Sequence, residues 1–131
     1  MAQQTEFIPY EQAIELKELG FDEECLDKYD PRFEKLSSDI QTWTTEHYPQ
    51  TLTIPAPLYQ QAFRWFRDKK LADGSVCRHG TADGGYSYRW DIVYEYGVYE
   101  ERHFKQDYKT HEEAELACLN RLIEIVKQKV I

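Results

Sequence analysis

The sequence of 131 residues predicts an α+β fold, in which helices pack on an antiparallel β-meander of three or more strands. Residues 57–70 and 110–130 carry apolar side chains at helical spacing. Between them, residues 86–96 alternate aromatic and mostly polar side chains, as a half-buried strand does. The short connections around this row favour antiparallel neighbours. The predicted core order is α-β-β-β-α over residues 57–131, preceded by an N-terminal helix.

The first predicted helix lies in "PYEQAIELKELGF", residues 9–21. Pro9 suits the first helical position, and Gly20 suits the left-handed position that follows a helix end. In that register Phe21 packs on Leu16, the contact that accompanies such an end.

Residues 27–55 give no clear element. The Thr-rich stretch up to Ile54 is consistent with one or two short strands. Because proline cannot donate to a β-ladder, Pro49, Pro55 and Pro57 confine such strands to a sheet edge or an irregular run.

A second helix is predicted over "PLYQQAFRWFRDKK", residues 57–70. The apolar side chains share one wide arc and the polar side chains fill the other side, as in an amphipathic helix. The apolar arc comprises Leu58, Tyr59, Ala62, Phe63, Trp65 and Phe66. The helix is expected to end before Asp73 and Gly74, a dipeptide typical of turns.

Three strands are predicted at residues 75–79, 86–96 and 98–104, joined by the loop "GTADGG" and by a reversal at Gly97. The even-numbered row of the central strand is the largest apolar surface available to the flanking helices, so we predict that it forms the core. Tyr86 and Tyr96, at the ends of this row, are expected to be exposed.

The last helix is predicted to begin with a capping box, Thr110 and Glu113. Its apolar arc comprises Ala114, Cys118, Leu119, Leu122, Ile123, Ile125, Val126 and Val130. Glu115 falls inside this arc. If it is buried it needs a partner, and the sheet offers Arg89 and several tyrosines.

The formal net charge of -8 is confined to the N-terminal part of the chain. Residues 1–50 hold twelve acidic and four basic side chains, whereas residues 51–131 hold twelve of each. We predict one domain over residues 1–131, with an acidic helical segment at 1–50. Such acidity repels phosphate backbones and disfavours nucleic acid as a partner.

The start "MAQQTEFIPY" lacks the basic and apolar regions of a signal peptide, and no apolar run is long enough to span a membrane. The expectation is a soluble, cytoplasmic protein without a membrane partner. Three cysteines at wide spacing, without a Cys-x-x-Cys pair, indicate no disulfide framework, and Cys118 is expected to be a small buried hydrophobe.

Catalytic groups are sparse in the sequence. Cys77 and His79 lie two apart on a predicted strand and share a face, so they would form a zinc site if His103 joined them across the sheet. The sequence does not give that register. The loop "GTADGG" lacks the Gly-Lys-Ser/Thr of a phosphate-binding loop. We therefore predict a protein that is not an enzyme and needs no cofactor.

Two resemblances accompany these patterns. The order helix, three strands, helix looks like the topology of double-stranded-RNA-binding domains. That resemblance implies a lysine cluster at the start of the last helix. This chain has "THEEAE" at residues 110–115, which carries the opposite charge. The strings "YEQAIELKELGFDEECL", "APLYQQAFRWFRDK" and "EEAELACLNRLIEIVK" are similar to small proteins of phages and integrated mobile elements of Bacteroidales bacteria, which have no established activity. That similarity implies a cytosolic protein made inside a bacterium.

The sequence as a whole favours a protein-protein binding module, with a second copy of the chain as an alternative partner. The acidic residues Asp22, Glu23, Glu24, Asp27 and Asp30 are the first candidate surface, and Arg64, Trp65 and Arg67 are the second. The alternatives are a small-molecule or nucleotide binder using exposed Tyr86 and Tyr96, a metal-dependent hydrolase at Cys77, His79 and His103, and a weak RNA binder.

Overall fold

The structure is a computed structural model, and its fold is α+β, as the sequence predicts. It describes residues 7–39, 52–70, 72–80, 82–94, 99–102 and 108–129. Over these ranges the chain forms three α-helices and two three-stranded antiparallel sheets. The elements are α1 (Tyr10–Glu18), β1 (Asp27–Asp30), β2 (Lys35–Leu36), β3 (Ile54–Ala56), α2 (Tyr59–Lys70), β4 (Ala72–Gly80), β5 (Tyr86–Tyr94), β6 (Tyr99–Arg102) and α3 (His111–Lys129).

The chain divides into two compact units, residues 1–61 and residues 62–131. The first unit holds α1, β1, β2, β3 and the first turn of α2. The second unit holds the rest of α2 and the elements from β4 to α3. The assignment of residues 1–131 to one domain stays a prediction.

Helix α1 ends as its sequence predicts. Gly20 has φ +103°, the N–H of Phe21 donates to Leu16 O at 2.9 Å, and the N–H of Gly20 donates to Lys17 O at 3.1 Å. These two bonds are the Schellman pattern, which satisfies carbonyls that the helix end would otherwise leave without donors. Pro9 lies one position earlier than predicted, as the N-cap, with ψ 160°. Its carbonyl accepts from Ala13 N at 2.9 Å.

The first sheet has the order β2-β1-β3. Strand β3 pairs with β1 through Asp27↔Ala56 and Tyr29↔Ile54, and Pro55 stands on this edge strand, as the proline rule requires. Strands β1 and β2 fall in a region for which no clear element is predicted, so the described part of residues 1–50 contains strands as well as a helix. The Tyr29 hydroxyl donates to Ile8 O at 2.7 Å and ties the sheet to the segment before α1.

The second unit contains the predicted meander, in the order β4-β5-β6. Strand β4 pairs with β5 from Ala72↔Tyr94 to Gly80↔Tyr86, and β5 pairs with β6 from Asp91↔Arg102 to Tyr94↔Tyr99. Opposed residues in this register share a face, so even-numbered residues of both β4 and β5 lie on one face and odd-numbered residues on the other.

Asp73 and Gly74 form part of β4 and not the turn that we predicted. A Cβ atom at Gly74 would lie 2.8 Å from Cys118 Sγ and 3.0 Å from Leu122 Cδ1 of α3. The glycine is therefore needed because the helix approaches the strand closely, a reason that the local sequence does not reveal.

Helix α3 packs on β4 and β5. Thr110 caps it, with Glu113 N donating to Thr110 Oγ1 at 3.1 Å, which confirms the N-cap of the predicted capping box. The Glu113 carboxylate accepts from the Thr110 hydroxyl, also at 3.1 Å. Its buried side chains are those of the predicted apolar arc, namely Ala114, Cys118, Leu119, Leu122, Ile123, Ile125 and Val126; Val130 lies outside the described residues.

The even-numbered face of β5 is core, as predicted, where α3 covers it. Trp90 and Ile92 are buried, Tyr88 is half-buried, and Tyr86 at the open end is 66% exposed. Tyr96 lies outside the described residues. No helix of the described ranges is long and apolar enough to cross a membrane.

Candidate functional site

A cleft of about 450 Å³ lies in the first unit, beside the loop of residues 21–26 that joins α1 to β1. We call it the acidic cleft. Its lining residues come from α1, this loop, β1 and the segment around β3: Lys17, Phe21, Asp22, Glu23, Glu24, Cys25, Lys28, Thr53 and Pro55. Its volume falls within the range of about 300–1,000 Å³ that is typical of small-ligand sites.

Hydrogen bonds hold the loop of residues 21–26, which we call the acidic loop, at its start and in its middle. The Schellman end of α1 sets the direction in which the chain leaves at Phe21. Further on, the side-chain amide of Gln61 on α2 donates to Glu24 O at 2.9 Å and to Glu23 Oε1 at 3.5 Å. The carboxylates are therefore carried on a braced loop, so binding would require little further ordering.

The cleft combines acidic groups with an apolar wall. Asp22 and Glu24 are exposed and Glu23 is half-buried, while Phe21 is buried and Pro55 half-buried. Of the two lysines in the lining, Lys17 donates its Nζ to Thr53 O at 3.2 Å. Leu26, at the end of the loop, is 83% exposed. Carboxylates beside apolar side chains suit a cation carried on an alkyl chain, such as a lysine or arginine side chain.

Cys25 lines the cleft but is a poor nucleophile. Its Sγ donates to Glu23 O at 3.4 Å. Burial, followed by the negative charge of Glu23, raises the pKa of the Cys25 thiol to about 11. The thiol therefore stays protonated at neutral pH, and the cleft is a place for binding rather than for thiol chemistry.

Two of the five acidic residues predicted to form a docking surface do not line the cleft. Asp27 lies in β1 and accepts from Ser38 Oγ at 2.5 Å. Asp30 is 1% exposed, and its carboxylate accepts from Arg32 Nε at 3.0 Å and from Arg32 NH2 at 2.6 Å. The Arg32 hydrogen bond lowers the pKa of Asp30. Asp30 therefore stabilises the turn between β1 and β2, and its assignment to an exposed binding surface is wrong.

In the second predicted surface, on α2, the aromatic residue Trp65 is buried. Trp65 is 5% exposed and contacts Phe66 edge-on, with ring centroids 5.1 Å apart, while Lys70 Nζ lies 5.4 Å from the Trp65 ring centroid. Helical spacing places Trp65 on the buried arc, so it is not an exposed member of this surface. Arg64 and Arg67 are exposed, and Arg67 pairs with its neighbour Asp68 at 3.2 Å.

The aromatic face offers little for stacking. Tyr86 is its one widely exposed ring among the described residues of β5, and the Arg78 guanidinium already lies 4.4 Å from the Tyr86 ring centroid. Tyr96, the other candidate, falls outside the described residues.

Cys77 and His79 share a face, as predicted, and their Sγ and Nε2 atoms are 3.1 Å apart. Cys77 is exposed and His79 is half-buried. His103 lies outside the described residues, so the three-ligand zinc site stays a prediction. Within the described ranges, no three His, Cys, Asp or Glu side chains are grouped to hold a metal ion.

Glu115 has a different partner from those that we expected. His111, one turn earlier on α3, places its Nδ1 at 3.3 Å from Glu115 Oε1. Arg89 is on the odd-numbered face of β5, whereas α3 covers the even-numbered face, and Glu115 is half-buried rather than buried. Burial raises the pKa of the Glu115 carboxyl, and His111 partly offsets this effect.

Several residues of the acidic cleft were not identified from the sequence. Gln61 stands on the polar side of an amphipathic helix, where glutamine is common and gives no indication of a site. Lys17, Thr53 and Pro55 come from other elements. No local pattern connects these residues with the loop of residues 21–26, because contacts between distant segments bring them together.

Comparison of the chain with family models, with curated proteins and with solved structures gives no significant match.

Proposed function

We propose that this protein is a non-enzymatic protein-binding module, and that its acidic cleft takes a basic segment of a partner protein. The observation that carries the proposal is the convergence of Asp22, Glu23 and Glu24 on one cleft with an apolar wall. A segment in which a Lys or Arg residue stands next to an apolar residue complements this lining.

Electrostatics and apolar contact supply different parts of the proposed binding. Exposed carboxylates attract a basic segment and speed its association, an effect that salt screens. Phe21, Pro55 and exposed Leu26 offer apolar contact, which is less sensitive to salt. The proposal therefore predicts binding that weakens with salt but is not abolished by it.

The same charges favour protein over nucleic acid as the partner. The three carboxylates of the cleft outnumber its two lysines and repel phosphates, and the start of α3 carries His111, Glu112 and Glu113 in place of a lysine cluster. This supports a protein partner over weak RNA binding.

The test is selection from a random peptide display library with the tagged protein, followed by fluorescence anisotropy of the enriched peptides. We expect enrichment of peptides that hold Lys or Arg next to an apolar residue. The variant Asp22→Lys/Glu23→Lys/Glu24→Lys should lower their affinity by about tenfold or more, since each lost ion pair with desolvated contact contributes on the order of 1 kcal/mol.

The matched control reverses three exposed carboxylates elsewhere, in Glu18→Lys/Glu34→Lys/Glu124→Lys, for the same change in net charge. It should bind nearly as well as the original protein. Equal weakening by both variants, or no enrichment of basic peptides, would contradict a cleft-specific site. Circular dichroism should show that both variants are folded.

A second candidate function is binding of a small cationic molecule in the same cleft, which its volume of about 450 Å³ favours. A thermal-shift screen with amines and amino acids distinguishes it, because a ligand of the native state raises the melting temperature. The aromatic sheet face is a weaker candidate for ligands, since Trp90 and Ile92 are buried.

The remaining parts of the functional prediction are origin, location and assembly. An origin in a phage or mobile element, and a cytoplasmic site of action, stay predictions that rest on the sequence resemblance. Light scattering after size exclusion tests the second-copy alternative, in which a dimer forms in the absence of any basic peptide.

A further inference from the structure

The second unit contains a site of a different kind, on the odd-numbered face of the β4–β5 hairpin. We propose that Cys77 is a thiol–disulfide exchange site, at which the protein forms a mixed disulfide with a small disulfide such as oxidised glutathione, and that His79 accepts the thiol proton. This inference is independent of the acidic cleft.

The three cysteines of the chain all lie within the described residues and differ in access. Cys118 is fully buried under Gly74, and burial raises the pKa of its thiol. Cys25 is half-buried, and its thiol also has a raised pKa, about 11. Cys77 is exposed. A disulfide arriving from solvent therefore meets Cys77 first.

The alternation of β4 places a base next to this thiol. Cys77 and His79 stand two residues apart and share a face, and Sγ to Nε2 is 3.1 Å, a hydrogen-bond distance for sulfur. For the thiol to donate in this contact, the imidazole must carry its proton on Nδ1 and leave Nε2 as the acceptor. A thiol that is hydrogen-bonded to a neutral imidazole can pass its proton to that nitrogen as the sulfur attacks.

The facing strand adds a cation and a polar group. Arg89 is directly opposite Cys77, and Ser87 is directly opposite His79. A guanidinium opposite the sulfur attracts anionic disulfides to this face. Asp91, opposite Ser75, is the diagonal neighbour of Cys77 and is farther from it in register than Arg89 is. The directly opposed charge is therefore positive.

Ser87 gives a second indication that this face is prepared for a polar ligand. It is 5% exposed, and its Oγ has no hydrogen-bond partner among the residues that the structure describes. A buried hydroxyl without a partner is unfavourable, and a polar ligand that reaches it removes that cost. The hydroxyl lies on the same face as His79 and directly across from it.

The exchange step is balanced without any further oxidant. Cys77 passes its proton to His79 Nε2, and Sγ attacks one sulfur of the disulfide R–S–S–R. A bond forms between Sγ and that sulfur as the original S–S bond breaks. The leaving thiolate takes the proton from His79 and departs as R–SH, so Cys77 is oxidised and one half of the disulfide is reduced.

The test uses the full chain, reduced and then mixed with oxidised glutathione, with peptide mapping by mass spectrometry over time. We expect Cys77 to be modified about tenfold faster than Cys25 or Cys118. The variant His79→Asn should slow Cys77 several-fold, while His111→Asn, at the exposed histidine of α3, should leave its rate unchanged.

Two further comparisons separate a local base from a general loss of structure. In concentrated urea, the original protein and His79→Asn should modify Cys77 at the same rate, because the strand no longer holds the pair together. In the native protein, Arg89→Gln should slow reaction with anionic oxidised glutathione more than reaction with cationic cystamine, since only the former is attracted by the guanidinium.

The reference is the unstructured peptide Ser75–His79, which contains the same thiol and imidazole without the strand. Modification of native Cys77 at the rate of this peptide would overturn the proposal, and so would an unchanged Cys77 rate in folded His79→Asn. Faster modification of the native chain that depends on His79 supports it.

Discussion

The two compact units of the chain are built from strands of very different length. In the first unit, β1, β2 and β3 contain 4, 2 and 3 residues. In the second, β4 and β5 contain 9 residues each and pair along their whole length. Short strands supply few ladder hydrogen bonds, so the first unit depends on particular side chains, such as Tyr29 and Asp30, that bridge its parts.

This difference places the candidate sites in different kinds of structure. In the first unit, the acidic cleft lies beside an irregular loop that Gln61 braces from another element. In the second, the Cys77–His79 pair lies on a regular strand, where alternation alone sets its geometry. Loops carry sites by virtue of their shape, whereas a strand carries a site through residue spacing.

The largest expected effect tests the close packing of the second unit. Gly74→Ala places a methyl group within 2.8 Å of Cys118 Sγ, so we expect the free energy of unfolding to fall by about 1–3 kcal/mol. In a Cys118→Ala background, where the sulfur is absent, Gly74→Ala should lower the free energy of unfolding by less than it does in the original protein. Urea unfolding provides the measurement.

The same experiment tests whether the chain behaves as one domain. If the two units unfold together, Gly74→Ala shifts a single transition, whether followed in the second unit or the first. If they unfold separately, only the transition of the second unit moves. Gly80→Ala is the matched control, because a Cβ at Gly80 meets nothing within 4 Å, and it should not destabilise the protein.

The end of α1 gives the corresponding test in the first unit. Gly20→Ala forces a side chain into φ +103°, and we expect a loss of about 1 kcal/mol from backbone strain, since no atom lies within 4 Å of the added Cβ. Because this helix end directs the loop of the acidic cleft, peptide binding should weaken as well. A variant with full stability would show that the chain end relaxes without strain.

Removal of the N-cap of α3 is a second test of the second unit, and the expected loss of stability is similar to or smaller than that for Gly20→Ala. Thr110→Ala removes the hydroxyl that accepts from Glu113 N, with an expected cost of about 1 kcal/mol. Thr110→Ser keeps the acceptor and should retain most of the stability. If alanine and serine are equivalent in thermal unfolding, the cap does not stabilise the helix.

The smallest expected effect is a pH dependence at Glu115. Its pKa is raised above the usual 4.5 in the folded chain, so the folded state binds this proton more tightly than the unfolded state does. The free energy of unfolding therefore falls as the pH rises from about 4.5 through the folded pKa, and the loss is complete above it.

Glu115→Gln removes this fall, because glutamine stays neutral. Relative to the original protein, the variant should gain stability toward neutral pH and show little gain at pH values below the usual pKa of glutamate. Parallel stability curves for the two proteins across this window would show that burial of the Glu115 carboxyl is too weak to matter.

Prediction from the sequence was best where elements are long. In α3, every apolar residue predicted for the buried arc is buried over the described range, because 19 residues repeat the helical period several times. The row in β5 was predicted as core for the same reason. The strands β1 and β2 contain too few residues to show a period, so no clear element is predicted there.

The sites were predicted less completely than the elements. Asp22, Glu23 and Glu24 line the acidic cleft, but Asp30 is paired with Arg32 inside a turn, and acidity alone does not distinguish the two situations. Trp65 was assigned to a surface although its helical position is on the buried arc. The face shared by Cys77 and His79 followed from spacing, but their contact distance did not.

The sequence by itself determined the α+β class, the antiparallel meander, the ends of α1 and α3, and the common face of Cys77 and His79. These features depend on periodicity and on hydrogen bonds between residues a few positions apart. The tertiary structure alone decided that Gly74 lies under a helix, that Gln61 braces the acidic loop, and that Arg89 faces Cys77. Each of these depends on contacts between distant segments, whose register and approach no local pattern encodes.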